Sequence, residues 1–271
     1  MTERVRLDIR DEAGGRVAYA TLNRADKFNG LDLPMLHGLV EAAAKIAADP
    51  TIRAVILAGD GKAFCAGLDF GSVGKAPPLA KARAALKFPG QKTNLFQQAC
   101  WAWRELPVPV IAVLHGHCFG GGLQLALAAD FRFATPDCEL SILEGRWGLI
   151  PDMTGSVTLR ELVPMDVAKR LTMTAEIFDG RQALGYGLVT GVAAEPLKEA
   201  EALVGQLLTR SPDAIALTKR LLHDTWNLSP RRAFWTETWL QAKLLRSANH
   251  RLARTANLAK ELPSYVSRRL R

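Results

Sequence analysis

Two glycine-bearing segments hold the residues best suited to chemistry. The first is Ala63-Phe64-Cys65-Ala66-Gly67-Leu68-Asp69 and the second Gly116-His117-Cys118-Phe119-Gly120-Gly121-Gly122-Leu123-Gln124. Each follows an apolar run that reads as a strand, and the second also opens a helix. A turn of this kind leaves a backbone N–H aimed at a ligand, and free N–H groups at a helix start favour developing negative charge. Two such donors on one oxygen make an oxyanion hole, which commonly contributes most to catalysis through an enolate or tetrahedral oxyanion. Taken alone, a glycine triplet marks any tight strand-to-helix turn.

Several other uses of a glycine turn are excluded by spacing. Gly116 to Gly122 is not G-x-G-x-x-G, so the dinucleotide fingerprint fails. It is not a phosphate-binding Walker loop, because Leu123 and Gln124 stand where Lys and Ser/Thr are needed. There is no G-x-S-x-G nucleophile elbow and no H-E-x-x-H zinc helix. Cys65, Cys100, Cys118 and Cys138 show no ligand spacing, so reduced thiols and no metal site are expected.

The elements that must position these turns follow from pattern. Residues 5–10 and 17–23 alternate as strands around a turn at 11–15. Asp32 suits a helix N-cap with Pro34 in the first turn, and the helix runs to about residue 48. The continuous apolar runs at 53–59 and 108–114 read as buried strands. Residues 71–90 read as a loop with helix content at 79–87, then a helix at 94–106. A helix at 121–129 and a strand at 131–135 follow. Helices are expected at 154–162, 167–173 and 180–184, a late strand at 188–193 and a helix at 196–208. Beyond Ser211-Pro212 only helices are expected, at 214–222 and 230–260. Phe234, Trp235, Trp239, Leu240, Leu244 and Leu245 form a helical stripe that reads as core or subunit interface. The outline is α/β: a core over residues 1–200 with the ligand site, then a helical region over 201–271.

Composition sets the class. Hydrophobic residues make up 48% and charged residues 23%, the balance of a folded globular protein rather than a disordered one. The charged start of the chain, with no apolar segment after it, and the absence of a membrane-length apolar run lead to an expected cytoplasmic location. Net charge is +8. Residues 219–271 carry twelve Lys and Arg against three acids, or +9, so the remainder is about −1. A second basic stretch holds Lys75, Lys81, Arg83, Lys87, Lys92 and Arg104 with no acid between. Such segments suit a polyphosphorylated ligand or nucleic acid, or are a solvated basic face.

Taken together, the motifs resemble the crotonase superfamily, the enoyl-CoA hydratases and isomerases. Thr21-Leu22-Asn23-Arg24 with Phe28-Asn29-Gly30-Leu31 resembles its N-terminal signature. RAVILAGDGKAFCAGLD at 53–69 is similar to its first oxyanion segment, and residues 109–130, through HGHCFGGGLQLALAAD, to the second. Trp147-Gly148-Leu149-Ile150-Pro151 matches the segment after a catalytic glutamate. The resemblance implies a spiral of ββα repeats with a C-terminal helical region that builds trimers, commonly paired into hexamers. It implies an acyl-CoA thioester ligand and no cofactor beyond the coenzyme A moiety itself. The oxyanion donors would be the N–H groups of Leu68 and Gly121. Ala66, Gly67 and Asp69 would lie along the adenine and pantetheine path.

Hydratases of the family use glutamates at the places of residues 124 and 144. Here Glu144 is present and the other is Gln124. An amide cannot serve as general acid or base, although its carbonyl oxygen can orient a water. The departure weighs against hydration and towards double-bond isomerisation. Glu144 stands near Ile142, Leu143 and Trp147; burial there would raise its pKa and suit it to shuttling a proton. Asp152 has two readings. It resembles the second carboxylate of a proton-transfer pair in the dienoyl-CoA isomerase branch, or it caps the helix that follows. His115 and His117 read as structural. Hydration of a 2-enoyl-CoA, RNA binding suggested by the basic tail, and silent coenzyme A binding are the alternatives. No RNA-recognition motif accompanies the tail.

Overall fold

The computed structural model describes residues 3–271. The chain opens with the hairpin β1 (Val5–Glu12) and β2 (Gly15–Leu22), crosses over through α1 (Leu33–Ala48), and continues into β3 (Ile52–Gly59). Asp32 caps α1 as expected, accepting the Met35 N–H at 2.8 Å. Next come α2 (Phe70–Lys75), α3 (Pro78–Ala85), α4 (Leu95–Arg104) and β4 (Val110–Leu114). Two short strands, β5 (His117–Phe119) and β7 (Glu139–Ser141), flank α5 (Gly121–Leu127) and β6 (Phe131–Ala134). A 3₁₀ turn, Leu143–Trp147, leads to α6 (Gly155–Leu162), α7 (Met165–Thr174), α8 (Gly180–Tyr186) and β8 (Gly191–Val192). The rest is helical: α9 (Pro196–Leu208), α10 (Pro212–Thr225), α11 (Pro230–Leu245) and α12 (Ala248–Ala259).

The fold is α/β. One mixed sheet runs β1-β2-β3-β4-β6-β8, antiparallel only between β1 and β2, and β5 pairs in parallel with β7 in a second sheet. The apolar run of β3 is unbroken because both faces of the sheet are covered. Val55 and Leu57 face α1 and α4, while Ala54 and Ile56 join Val17, Ile111 and Val113 against Ala200, Val204 and Leu208 of α9. The expected division at residue 200 thus falls inside a helix packed on the sheet.

Three expectations change. The helix expected over 230–260 is two helices. The break falls at Arg246-Ser247, where the Ser247 hydroxyl accepts the His250 N–H at 3.1 Å and starts α12 afresh. The late strand shrinks to Gly191–Val192, which pair with Phe133 and Ala134 of β6. Strands β5 and β7 have no periodic signal, since three residues are too few; tertiary pairing defines them. In the stripe on α11 only Leu240 is buried, and Phe234, Trp235 and Trp239 are exposed on this chain. Among the described residues no helix is long and apolar enough to cross a membrane.

The C-terminal segment folds back onto the helices. Buried Asp213 accepts the N–H groups of Arg269 and Leu270 at 2.7 and 2.9 Å, and the Asn249 side chain at 2.8 Å.

The two glycine segments meet directly. Cys65 donates its N–H to the His117 carbonyl and accepts the Phe119 N–H, both at 2.9 Å. A Cβ on Gly122 would lie 2.6 Å from the Cys65 carbonyl oxygen and 2.7 Å from its Cβ. Those atoms belong to a paired backbone and cannot yield cheaply. Gly122→Ala is expected to lower the thermal midpoint on the order of 5 °C by calorimetry; an unchanged midpoint would contradict this contact.

Candidate active site

The first turn is fixed on three sides. Ala66 donates to the Phe28 carbonyl at 2.9 Å, Gly67 accepts from the Leu31 N–H at 2.8 Å, and Asp69 donates back to the Leu31 carbonyl at 3.0 Å. Between these anchored neighbours the Leu68 N–H has no protein acceptor among the described residues. Gly67 has φ +89°, and a Cβ there would sit 2.8 Å from the Phe119 carbonyl oxygen and 3.6 Å from the Gly121 nitrogen. Only glycine tolerates both the dihedral and the approach. On the other side, Gly120 donates to the Ser141 carbonyl at 2.9 Å, and the Gly121 N–H, first in α5, likewise has no protein acceptor among the described residues. The structure therefore brings the Leu68 and Gly121 turns together.

Asp69 is engaged within the protein. Its carboxylate caps α2, accepting the Ser72 N–H at 2.9 Å and hydroxyl at 2.6 Å, and pairs with Arg24 at 2.8 Å. Arg24 is buried; it also donates to the Gly30 carbonyl at 2.9 Å and lies 3.5 Å from Asp32. These bonds, the Ser72 side chain first, depress the Asp69 pKa to about 2. Arg24 thus ties the loop before α1 to the first glycine turn, a structural duty that a lone arginine in the sequence does not announce.

One turn of α5 beyond Gly121, the buried Gln124 side chain faces Glu144. Its Nε2 donates to Glu144 Oε1 at 2.5 Å. Its Oε1 accepts from Met153 N at 2.8 Å and Gly155 N at 2.9 Å. The amide orientation is set by these partners, since the opposite flip would face NH₂ to two donors. Both expected acceptor directions of the Gln124 oxygen are therefore taken, and orienting a water through that oxygen, as expected from sequence, does not fit the structure.

Glu144 is buried on the 3₁₀ turn, and its Oε2 has no hydrogen-bond partner in the protein. Burial pushes its pKa above the ordinary carboxylate value. Its own backbone N–H and the Gln124 amide hold it back, and the negative charge of Asp152 adds to the rise. Asp152 is exposed on the turn before α6. It does not cap that helix: the cap position is Thr154, and no side chain makes a capping bond. Facing the same region, the Phe70 and Trp147 rings meet with centroids 4.9 Å apart, both partly exposed. Sequence reasoning missed this pair, since neither lies on a periodic stripe. His115 bonds the Gly61 carbonyl at 3.0 Å and His117 stacks on Phe119. The four cysteines are buried and unpaired. Among the described residues no three His, Cys, Asp or Glu side chains are arranged to hold a metal. The basic segment at 75–92 is mostly exposed.

Comparison with known proteins shows the family of the chain. The family model described as enoyl-CoA hydratase/isomerase matches residues 12–268. The chain is 32% identical to the (E)-benzylidenesuccinyl-CoA hydratase of Thauera aromatica over 213 residues, covering 77% of this chain and 79% of that one. It is 33% identical to the carnitinyl-CoA dehydratase of Salmonella typhi, covering 78% of each. Among solved structures, an enoyl-CoA hydratase of Mycobacterium smegmatis superposes with a TM-score of 0.84 at 30% identity, covering 96% of this chain and 98% of that one. One from Bacillus anthracis gives 0.87 at 26% identity, covering 97% and 98%. The chain belongs to the enoyl-CoA hydratase/isomerase family.

The Asp69 network has a pH signature. A carboxylate with depressed pKa stabilises the fold above its unfolded pKa, ordinarily 3.8, and that contribution disappears as pH falls through about 2. Asp69→Asn is expected to cost about 1–2 kcal/mol near neutrality, allowing for solvent screening, and only a small fraction of that by pH 2. Denaturant titration at both pH values checks this, and a constant difference across the range would refute it.

Proposed function

We propose that this member of the enoyl-CoA hydratase/isomerase family binds an acyl-CoA thioester, carries it through an enolate and relocates a double bond. The thioester oxygen takes the Leu68 and Gly121 N–H groups. Ala66, Gly67 and Asp69 flank the path of the coenzyme A arm. Both oxyanion donors are backbone groups held by neighbouring hydrogen bonds, so they need little reorganisation as charge develops; losing one such donor costs about 10²–10³ in rate. Glu144 removes a proton from the carbon next to the thioester, the C–H electron pair becomes the enolate, and the proton returns at the far end of the conjugated system. Asp152, near enough for its charge to act on Glu144, assists at that end.

The observation that carries this reading is the buried carboxylate of Glu144, whose neighbour at 124 is an amide rather than a second acid. Glu144 has one oxygen engaged by Gln124 and one without a protein partner. One carboxylate can take and return the same proton, which suffices for isomerisation. The upward shift that burial gives makes Glu144 a stronger base than a solvated glutamate. Exposed Phe70, Trp147, Leu149 and Ile150 supply apolar walls for the acyl group.

Hydration of a 2-enoyl-CoA is the second reading, favoured by the hydratase and dehydratase names of the relatives. It uses the same oxyanion donors, with Glu144 activating a water. The exposed Phe234, Trp235 and Trp239 on α11 support assembly as a homotrimer or homohexamer, with a second copy over that face. Sedimentation that finds a monomer at micromolar concentration would remove that part.

Glu144→Gln keeps the shape and removes the titrating group. It is expected to lower kcat for a 3-enoyl-CoA or crotonyl-CoA at least about 10³-fold while coenzyme A affinity stays within about twofold. Near-normal turnover would sink the assignment. Conversion of the 3-enoyl-CoA to a conjugated product without water uptake supports isomerisation, and water addition to crotonyl-CoA supports hydration.

A further inference from the structure

We infer that Gln124 is a positioning residue: held by the Met153–Gly155 turn, it engages Glu144 Oε1 and leaves Oε2 as the one atom through which Glu144 exchanges protons. This rests on Glu144 being the acid and base of the reaction. The argument starts from the turn. Thr154 has φ +89°, a conformation that a β-branched residue adopts only under strain of roughly 1–3 kcal/mol. What the strain achieves is visible on either side. With Thr154 left-handed, the N–H groups of Met153 and Gly155 converge on one point, and Gln124 Oε1 occupies it. These two amides, one on either side of Thr154, converge on one oxygen and form a concave nest. Gly155 completes it, because a Cβ there would stand 2.9 Å from that same oxygen.

The nest fixes which end of the amide meets Glu144. The NH₂ end donates to Oε1, so a proton on Glu144 resides on Oε2, the oxygen with no protein partner. The groups acting electrostatically on Glu144 are few. Asp152 comes from the turn before α6, and the buried Cys100 thiol comes from α4. Neither replaces the Gln124 contact, since neither hydrogen-bonds the carboxylate. A glutamate at 124 would fit the same nest with one oxygen and turn its second oxygen on Glu144 Oε1. Two carboxylates at that distance cannot both ionise freely, so one pKa rises. The amide therefore keeps Glu144 a single titrating group.

The test follows α-proton exchange of butyryl-CoA in deuterium oxide by mass spectrometry, across pH, with each variant checked for fold by circular dichroism. Exchange needs only a base and an oxyanion hole, so it reads Glu144 whichever net reaction the enzyme performs. Gln124→Met removes both amide contacts at similar volume. The exchange rate at saturation is expected to fall about a hundredfold with KM within about twofold. Gln124→Glu preserves the nest contact. Its acid limb is expected to move upward by at least about one pH unit, with a fold and thermal midpoint close to the parent. A Gln124→Glu profile superimposable on the parent overturns the inference, and so does a Gln124→Met loss confined to KM. If Gln124→Met does not fold, the Gln124→Glu profile decides alone. Glu144→Gln separates the premises. Exchange surviving in Glu144→Gln overturns the base assignment itself, whereas exchange lost there but normal in both Gln124 variants overturns only the role of Gln124.

Discussion

The backbone exchange between Cys65 and the His117–Phe119 strand is the constraint on which the site depends. Two hydrogen bonds lock the first glycine turn to the second. They can form only because Gly67 and Gly122 bring no side chain between the segments, where a Cβ would collide with Phe119 or Cys65 backbone. Once the segments are locked, the Leu68 and Gly121 N–H groups are held on one side by neighbours whose own bonds are satisfied elsewhere. The sheet supplies rigidity behind them, with β3 and β4 paired in parallel and both faces covered. A site built on backbone donors needs this rigidity, since no rotamer can correct a misplaced amide.

A second chain of constraint runs from α5 to α6. Gln124 sits one helical turn beyond the donor amide, and its side chain links three elements: α5, the 3₁₀ turn with Glu144, and the strained turn at Thr154. The cost of a left-handed threonine is offset by hydrogen bonds that would otherwise leave a buried amide oxygen unpaired. Burial of Glu144 works in the same direction. It raises the proton affinity of the Glu144 carboxylate, while the Gln124 amide limits the rise.

Much of this was legible in the residues. The apolar runs of β3 and β4, the Asp32 cap, and the glycine turns have strong local signals, because each reflects a short-range rule of dihedral angle or periodicity. The order of the two glycine segments pointed to the family that the comparisons establish. Glu144 beside Ile142, Leu143 and Trp147 suggested burial and a raised pKa, and the structure has both. Other features were not legible. The carbonyl of Gln124 looked free to hold a water, yet two backbone amides thirty residues away occupy it. Of the two readings of Asp152, the helix cap fails, because the cap position is two residues on. Strands β5 and β7 carry no pattern, and the break at Ser247 interrupts a stripe that reads as continuous.

The sequence by itself determined where the glycines stand, which carboxylates and amides exist, and where the long buried strands and capped helices lie. These are properties of single residues and their near neighbours. The tertiary structure alone decided which atoms meet. Whether an amide offers its oxygen or its nitrogen, which oxygen of Glu144 is engaged, and which N–H lacks a partner depend on distances between segments far apart in the chain. A hydrogen bond is made or lost over a few tenths of an ångström, and only the packed fold sets positions to that tolerance.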